Sequence, residues 1–363
     1  MKVYANNLKR QYDLHGAEYA ECAVSVLSRG WYIMGPELEA FEKEFASYIG
    51  TEYCVGVGNG LDALTIAFKV IGAKEGDEVI VSANAFIACD LGVSLNGAKP
   101  VFVEPDQYAN IDASKIEAAI TDKTIAVLAV HLYGQSCDMT EIMRIAKEHD
   151  LKVVEDCAQA HGTKWKGQMV GSIGDISCFS FYPTKNLGAF GDGGAICTSN
   201  ASYNEFARMY RNYGSKVHYE NDMIGVNSRL DELQAAFLRI KLHYLDSFLK
   251  ERQELAERYR TGIKNPKIRI LDTRPGSTNT YHQFEIYCET RDDLISYLNE
   301  KEIDTIIHYP IPPHLSKAYQ YLGYHKGSFP IAEKHADTVL SLPFYNGMTV
   351  EEQQYVIDAI NHY

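Results

Sequence analysis

The chain has 363 residues, of which 46% are hydrophobic and 23% are charged, so it can form one large α/β domain and a smaller second domain. Its formal net charge of -13 argues against nucleic acid as a partner, because proteins that bind nucleic acid carry basic patches. The sequence has no apolar run of about 18 residues and no apolar segment near its start, so we expect neither a membrane-spanning helix nor a signal peptide.

Helical and strand-like patterns follow one another from the N-terminus. Residues 1–30 predict an arm and one amphipathic helix, and a second helix begins at Pro36, a residue suited to the first helical turn. Strands are predicted at residues 53–57, 78–82, 99–103 and 125–131, with helices beginning near Leu61, Asn84 and Met139. Short apolar runs that alternate with such helical patterns indicate βαβ units and a mostly parallel sheet.

The pattern changes near residue 264 to short alternating strands and one further helix. This change predicts a small α+β domain at the C-terminal end of the chain. We therefore expect a large α/β domain over residues 1–245 and a small domain over residues 246–363.

Cysteine and histidine usage narrows the class of protein further. The eight cysteines contain no C-x-x-C pair, and most lie in apolar runs, where a free cysteine packs as a small hydrophobic residue. We expect a cytoplasmic protein without disulfides. The twelve histidines form no H-E-x-x-H motif, so no metal site is expected.

The segment over residues 153–198 carries the strongest chemical signal. In VVEDCAQAHG an apolar run ends at Asp156, and in ISCFSFYPTKNLGAFGDGGAICT a second apolar run is followed by Lys185. Ligands of open α/β sheets bind at the carboxyl ends of the strands, so we expect these two side chains to meet in one crevice.

A lysine and an acid in this arrangement suit pyridoxal 5'-phosphate (PLP). The cofactor needs a lysine amine for a Schiff base and a carboxylate facing its ring nitrogen. Lys185 is the candidate for the first role and for catalytic proton transfer, and Asp156 is the candidate for the second.

Three motifs, EDCAQAHG, SFYPTKNLGAFGDGGA and NSRLDELQAA, resemble the sugar-nucleotide aminotransferases, the DegT/DnrJ/StrS group of fold-type I PLP enzymes. The resemblance extends from about Trp31 to about His314. It implies an aspartate-aminotransferase-like large domain and a cofactor that alternates between PLP and pyridoxamine 5'-phosphate. It also implies a homodimer.

The helix beginning near Leu61 would direct its N–H groups and positive dipole end at an anion. The resemblance places the PLP phosphate there and implies cofactor contacts by a set of further residues. That set comprises Gly60, Leu61, Phe86 over the ring, Gln159 at the phenolic oxygen, Ser180 at the phosphate, and Asn227, which would reach the phosphate of the partner subunit.

Polar and aromatic residues elsewhere are candidates for holding the substrate. The candidates are Trp31 and Tyr32 for the nucleotide, Tyr182 for the substrate, Tyr213 and Lys216 for a diphosphate, Arg229 for the neighbouring site, and Tyr309 and His314 for the substrate pocket. For each of them, side-chain packing or a solvated surface position is the alternative interpretation.

The resemblance is greatest to the branch that transfers an amino group from L-glutamate to carbon 3 of a dTDP-linked 3-oxo-6-deoxyhexose, since Asn59, Gly60 and Leu61 stand at the phosphate turn. A carbon-4 aminotransferase acting on a dTDP- or UDP-4-oxo sugar is one alternative, and a PLP-binding regulator without turnover is another. A PLP-dependent sugar dehydratase would carry histidine in place of Lys185. An NAD-binding protein would need a G-x-G-x-x-G run that is absent.

Overall fold

The computed structural model describes residues 1–217 and 219–363. The strands are β1 (Tyr53–Val57), β2 (Glu78–Ser82), β3 (Lys99–Val103), β4 (Thr124–Val130), β5 (Lys152–Asp156), β6 (Lys164–Trp165), β7 (Gln168–Met169), β8 (Ile176–Ser180), β9 (Gly194–Thr198), β10 (Ser215–Val217), β11 (Glu220–Asn221), β12 (Arg269–Ile270), β13 (Glu285–Tyr287) and β14 (Val339–Ser341). The α-helices are α1 (Leu8–Asp13), α2 (Gly16–Arg29), α3 (Pro36–Ile49), α4 (Gly60–Val70), α5 (Ile87–Ser94), α6 (Met139–Glu148), α7 (Ala201–Tyr210), α8 (Glu232–Gly262), α9 (Arg291–Glu300), α10 (Pro330–Thr338) and α11 (Val350–Asn361).

A seven-stranded sheet in the order β1-β9-β8-β5-β4-β2-β3 forms the centre of the molecule. The pairs from β8 to β3 are parallel, and β9 runs antiparallel to both of its neighbours. The prediction of a mostly parallel sheet with helices around it is confirmed. In such sheets the carboxyl ends of the parallel strands lie along one edge, where ligands bind.

Side chains alternate between two cores, one on each face of this sheet. On β5, Val153 packs in one core and Val154 in the other, and on β8 Phe179 and Cys178 divide in the same way. This alternation is the two-residue period of a strand that is covered on both faces.

A third core lies in the C-terminal part of the chain and includes Ile286 and Leu340 of a three-stranded sheet in the order β12-β13-β14, together with Phe284 just before β13. Helix α8 serves two cores, because its residue Leu249 packs beside the central sheet while Leu255 packs in the third core. The division at residues 245 and 246 falls within α8 and stays a prediction.

The N-terminal segment differs from the prediction of a single helix. It forms α1 and α2, which are separated at His15, where φ is -140° and ψ is 27° and the backbone leaves the helical region. Before α1, Val3 bridges to Ile303 and packs in the third core. Residues at the start of the chain therefore contact its C-terminal part.

No helix within the described ranges has the length and apolar character needed to cross a membrane.

Candidate active site

A cavity of about 360 Å³ opens at the carboxyl ends of β4, β5 and β8. The structure brings many of the predicted cofactor and substrate residues together in its lining. Those that line the cavity are Gly60, Leu61, Phe86, Asp156, Gln159, Ser180, Tyr182, Lys185 and Tyr309.

Asp156 is the last residue of β5, and its carboxylate is held in a fixed orientation. Its Oδ1 accepts the backbone N–H of Ala158 at 2.9 Å, and its Oδ2 accepts the thiol of Cys89 at 3.1 Å. Burial, together with the charge of Asp156, raises the pKa of Cys89, so the thiol remains protonated and continues to donate. A buried carboxylate fixed in this way is suited to holding a proton on a ring nitrogen.

Lys185 follows β8 in a tight turn, in which its backbone N–H donates to the Tyr182 carbonyl at 2.8 Å. Burial lowers the pKa of Lys185 to about 8, while the Asp156 carboxylate opposes the shift. An amine with this pKa is partly neutral near physiological pH, as a nucleophile or proton carrier must be.

The Lys185 turn is supported from behind by helix α8. Lys241 donates from Nζ to the carbonyl of Gly188 at 2.6 Å and lies 4.0 Å from the ring centroid of Phe190. Because Lys241 is buried, this hydrogen bond ties the residues after Lys185 to a long, rigid helix.

The N-terminus of α4 and the end of β8 form a cradle for an anion. Asn59 caps α4 by accepting the N–H of Asp62 at 2.8 Å, and the N–H groups of the first helical residues have no intrahelical partner. A Cβ on Gly60 would lie 2.7 Å from the Cβ of Ser180, so only glycine permits this approach of the helix start to the Ser180 hydroxyl. The donor set of helix start and hydroxyl fits a phosphate group.

One wall of the cavity is a network around Gln159. Its Oε1 accepts the backbone N–H of Tyr133 at 2.7 Å, and its Nε2 donates to the Tyr309 hydroxyl at 3.0 Å. The ring of Tyr309 lies 5.1 Å from that of Phe86. These contacts join the β5 end, the α5 start and the C-terminal segment in one wall.

His282, Gln283 and His308 also line the cavity, although no sequence pattern predicted a role for them. Burial lowers the pKa of His308 to about 4, and the charge of Lys185 acts in the same direction. His308 precedes Tyr309, which was identified, so its position beside a predicted site residue was a signal that could have revealed it.

A second group of predicted residues lies outside this cavity, around the chain between α7 and α8. Arg229 donates to Asn212 Oδ1 at 3.0 Å and lies 5.7 Å from the ring centroid of Tyr213. Asn227 is exposed, and Lys216 is exposed and paired with Glu205. The structure does not bring these residues to the cavity.

Trp31 and Tyr32 also lie on the surface, in an exposed apolar run that continues through Ile33 and Met34. Trp31 donates from Nε1 to the Ile33 carbonyl at 2.8 Å, and the Tyr32 hydroxyl donates to the Leu27 carbonyl at 3.0 Å. Neither side chain lines the cavity.

His314 is fully buried, away from the cavity. Its Nε2 lies 3.0 Å from Glu333 Oε1, and its ring lies 4.8 Å from that of Phe329. The 3-10 helix Pro313–Leu315 turns the imidazole inward, although Tyr309 a few residues earlier does line the cavity. The prediction of a substrate contact by His314 gains no support from this placement.

Within the described residues, His131, Glu155 and Cys157 place possible metal-ligating atoms within 4.8 Å of one another. Two of these groups, the side chains of His131 and Glu155, already have partners. Glu155 accepts N–H groups from Gly171, Ile173 and Gly174, and His131 lies 3.0 Å from Glu155 through Nε2 and accepts the Cys137 N–H through Nδ1. We interpret the cluster as a structural hydrogen-bond network beneath the cavity.

Comparison with known proteins identifies similar chains over nearly the whole length. The profile of the DegT/DnrJ/EryC1/StrS aminotransferase family matches residues 14–361. The dTDP-3-amino-3,6-dideoxy-alpha-D-galactopyranose transaminase of Aneurinibacillus thermoaerophilus is 52% identical over 339 residues, which cover 93% of each chain.

Two solved structures extend the comparison to three dimensions. DesV from Streptomyces venezuelae, solved with a ketimine intermediate, is 45% identical and superposes with a TM-score of 0.98 over 99% of this chain and 98% of its own. NtdA from Bacillus subtilis with bound cofactor PMP is 33% identical, with a TM-score of 0.92 over 98% of this chain and 83% of its own. The chain therefore belongs to the DegT/DnrJ/EryC1/StrS aminotransferase family, as its three sequence motifs predicted.

Proposed function

We propose that the protein is a PLP-dependent aminotransferase that moves an amino group from L-glutamate to carbon 3 of a dTDP-3-oxo-6-deoxyhexose, giving a dTDP-3-amino-3,6-dideoxyhexose. The observation that carries the proposal is the meeting of Lys185, Asp156 and the α4 anion cradle in one cavity. The choice of carbon 3 and of a dTDP-sugar is supported by the 52% identity to the Aneurinibacillus enzyme.

The residues of the cavity fit PLP in charge and hydrogen-bonding capacity. Lys185 would hold the cofactor covalently, Asp156 would face its ring nitrogen, and the α4 start with Ser180 would hold its phosphate. Gln159 and Phe86 would contact the ring. When bound, the cofactor supplies a carbon that accepts the amino group and a ring that withdraws electrons from the reacting carbon.

The protein's own groups then have separable tasks. Lys185 accepts and returns a proton through Nζ, for which its lowered pKa of about 8 is suited. The hydrogen bonds from Ala158 and Cys89 hold Asp156 in its orientation. Its carboxylate would then keep the ring nitrogen of the bound cofactor protonated. The rings of Phe86 and Tyr309 pack 5.1 Å apart in the cavity wall and would limit the entry of water around a bound cofactor.

A homodimer would complete the site. The surface exposes two apolar segments, one over residues 31–34 with Trp31 57% exposed and one at Ile224, which is 95% exposed, and exposed apolar surface of this kind marks interaction sites. We propose that this surface meets a second copy, so that Asn227 and Arg229 reach the neighbouring cavity. At that junction, Trp31 and Tyr32 remain candidates for holding the nucleotide, and Tyr213 and Lys216 for holding a diphosphate. Tyr182, which lines the cavity, remains a candidate for contacting the substrate.

We also propose that the protein works in the cytoplasm. All eight cysteines are free, and seven of them are buried. Cys54 and Cys197 face each other across β1 and β9 as thiols, and the pairing of two unoxidised cysteines supports a reducing compartment.

The test is a half-reaction. The protein is converted to its pyridoxamine form with L-glutamate and then mixed separately with a dTDP-3-oxo-6-deoxyhexose and with the 4-oxo isomer, while the yellow colour of the PLP form is followed. Colour that returns only with the 3-oxo sugar supports the proposal. Colour that returns only with the 4-oxo sugar selects the carbon-4 alternative, and no return with either sugar favours another nucleotide sugar or a regulator without turnover.

A further inference from the structure

Four side chains form a continuous hydrogen-bonded chain beside the cavity. Glu285 on β13 and Ser341 on β14 are cross-strand neighbours, and Ser341 Oγ lies 2.8 and 2.7 Å from the two carboxylate oxygens. The same Oγ lies 2.7 Å from His308 Nδ1, and His308 Nε2 lies 2.7 Å from the amide nitrogen of Gln283. His308 and Gln283 line the cavity, whereas Glu285 and Ser341 are buried and do not.

This chain admits two complete arrangements of its hydrogens. If Glu285 is ionised, Ser341 donates to it, His308 donates from Nδ1 to Ser341, and His308 Nε2 accepts from the Gln283 amide. If Glu285 is protonated, it donates to Ser341 and Ser341 donates to Nδ1, so His308 carries its proton on Nε2. The proton on His308 Nε2 then requires an acceptor. The Gln283 side chain supplies one when its amide group flips, so that Oε1 takes the place of the amide nitrogen.

The turn of the amide costs no hydrogen bond. In the present orientation Gln283 Oε1 is buried and has no hydrogen-bond partner among the described residues. Turning the amide over would place this oxygen 2.7 Å from His308 Nε2, where it can accept an N–H. Both arrangements therefore leave the same number of Gln283 atoms unpaired.

We propose that Glu285 is a positioning residue whose protonation state selects the tautomer of His308. That tautomer determines whether the amide nitrogen or the amide oxygen of Gln283 faces His308 Nε2. The change balances with the loss of one proton. The His308 Nε2 proton leaves to solvent, the Ser341 proton moves to Nδ1, and the Glu285 proton moves to Ser341 Oγ. The proposal rests on the proposed function only for its effect on catalysis, because these residues line the same cavity.

The charges of the neighbouring groups agree with this assignment. Burial raises the pKa of Glu285 to about 8, against the opposing effect of the Ser341 hydrogen bond, while His308 stays neutral in that range. The other titratable groups that face Glu285 are Tyr133, Tyr287 and Tyr309, and burial raises the pKa of each, so they remain uncharged. The charge of Lys185 lowers the pKa of His308, and the pKa of Lys185 itself is about 8. The experiment must therefore separate the titration of Lys185 from that of Glu285.

The experiment is ¹⁵N NMR of the protein loaded with pyridoxamine 5'-phosphate, which leaves the Lys185 amine free. The protein is labelled at its histidine nitrogens and titrated from about pH 6 to about pH 10. The His308 signals are assigned by their loss in His308→Gln. We expect the protonated nitrogen to be Nε2 at low pH and Nδ1 at high pH, with no imidazolium. The titration is repeated in Lys185→Ala, which removes the titrating amine and should leave the exchange of tautomers in place.

Variants of the chain separate a positioning role from a purely structural one. Glu285→Gln keeps a donor facing Ser341 and should hold His308 in the Nε2 tautomer at every pH, and Ser341→Ala should also abolish the pH-dependent exchange. The exposed Glu289→Gln is the matched control and should behave as the wild type. A wild-type His308 with one tautomer throughout, or an unchanged exchange in Ser341→Ala, would overturn the proposal whether or not the enzyme accepts the 3-oxo sugar.

Discussion

Glu232, the first residue of α8, caps the N-terminus of α3 next to Leu38, 194 residues away in sequence. Its two carboxylate oxygens accept the N–H groups of Gly35, Glu37 and Leu38 at 2.8–3.0 Å, and its side chain is fully buried. Gly35 has no capping side chain of its own, and a Cβ there would lie 2.8 Å from Glu232. One acid therefore fixes the start of α3 and the exposed apolar run before it.

Replacing Glu232 should destabilise the fold. Glu232→Ala leaves three N–H groups at a helix start without their charged acceptor, and we expect the free energy of unfolding to fall by about 3 kcal/mol. Urea denaturation of the cofactor-free protein measures the change. The control is Glu39→Ala in the same helix, whose exposed pair with Lys43 should change the stability far less than the loss of the Glu232 cap. Equal effects of the two substitutions would contradict the capping role.

Gly60 should be essential for binding the cofactor phosphate. In Gly60→Ala the new methyl group would lie 2.7 Å from the Cβ of Ser180 and would force the α4 start away from the hydroxyl. Loss of one or two hydrogen bonds to a charged group should weaken PLP binding by about 10- to 100-fold. Fluorescence titration of the cofactor-free protein with PLP measures this. Gly191→Ala, whose methyl group meets only the flexible Gln234 side chain, should bind PLP as tightly as the wild type.

Lys185 should be the residue that holds the cofactor covalently. Borohydride reduction of the PLP-loaded wild type should increase the protein mass by one cofactor, and the same treatment of Lys185→Ala should leave the mass unchanged. Turnover should fall by at least about 10⁴-fold, since the variant lacks the proton carrier. Lys241→Ala is the control, because Lys241 is the buried lysine of α8 that contacts the same turn, and this variant should still gain the mass of the cofactor. A mass increase in Lys185→Ala would move the attachment to another lysine.

Asp90 should make the stability depend on pH. The side chain is fully buried on α5, and neither carboxylate oxygen has a hydrogen-bond partner among the described residues. Burial raises its pKa well above the usual value, so the folded state binds the proton more tightly than the unfolded state. The stabilisation that this bound proton contributes is present in full below the pKa that Asp90 has in the unfolded state. It is lost as the pH rises toward the pKa that Asp90 has in the folded state.

Asp90→Asn removes this dependence. The melting temperature of the variant should rise relative to that of the wild type as the pH increases from about 4 to about 8, by roughly 1 °C for each kcal/mol in a chain of this length. Thermal melts of the cofactor-free protein across this range measure it. Asp272→Asn, an exposed substitution, should give a constant difference. A difference for Asp90→Asn that does not grow with pH would show that the carboxyl group already has a partner.

The sequence predicted those site residues whose positions depend on local patterns. Asp156 and Ser180 end neighbouring strands, and Lys185 follows one of them, so apolar runs and their ends were sufficient to place all three. Gln283 and His308 were not predicted, because the C-terminal part of the chain brings them to the cavity only through tertiary packing.

The same limit applies to the fold. The strands of the central sheet were predicted nearly to the residue because apolar runs mark them, whereas the Glu232 cap joins residues almost 200 positions apart. Helix α5 begins after Phe86 instead of near Asn84, since the Asn84 side chain donates to the Ala109 carbonyl and belongs to the loop before the helix. The hydrophobic periodicity of the sequence does not predict hydrogen bonds of this kind.

Asn227 should act in the site of the neighbouring subunit. It is exposed and does not line the cavity of its own chain, although it lies next to the exposed apolar residues Ile224 and Val226. Asn227→Ala should weaken PLP binding by about tenfold, the effect of losing one hydrogen bond to a charged group. Fluorescence titration with PLP measures the single variant.

Mixed dimers decide between the two subunits. If Asn227 serves the partner, a dimer of one Lys185→Ala chain and one Asn227→Ala chain contains one site with both defects and one site with none. That mixed dimer should regain about half of the wild-type activity at a PLP concentration that leaves the Asn227→Ala homodimer largely empty. If Asn227 serves its own chain, each site keeps one defect and mixing restores nothing. Because both outcomes use the same two variants, an effect of either substitution on folding alone would appear equally in the homodimers and could not produce the gain.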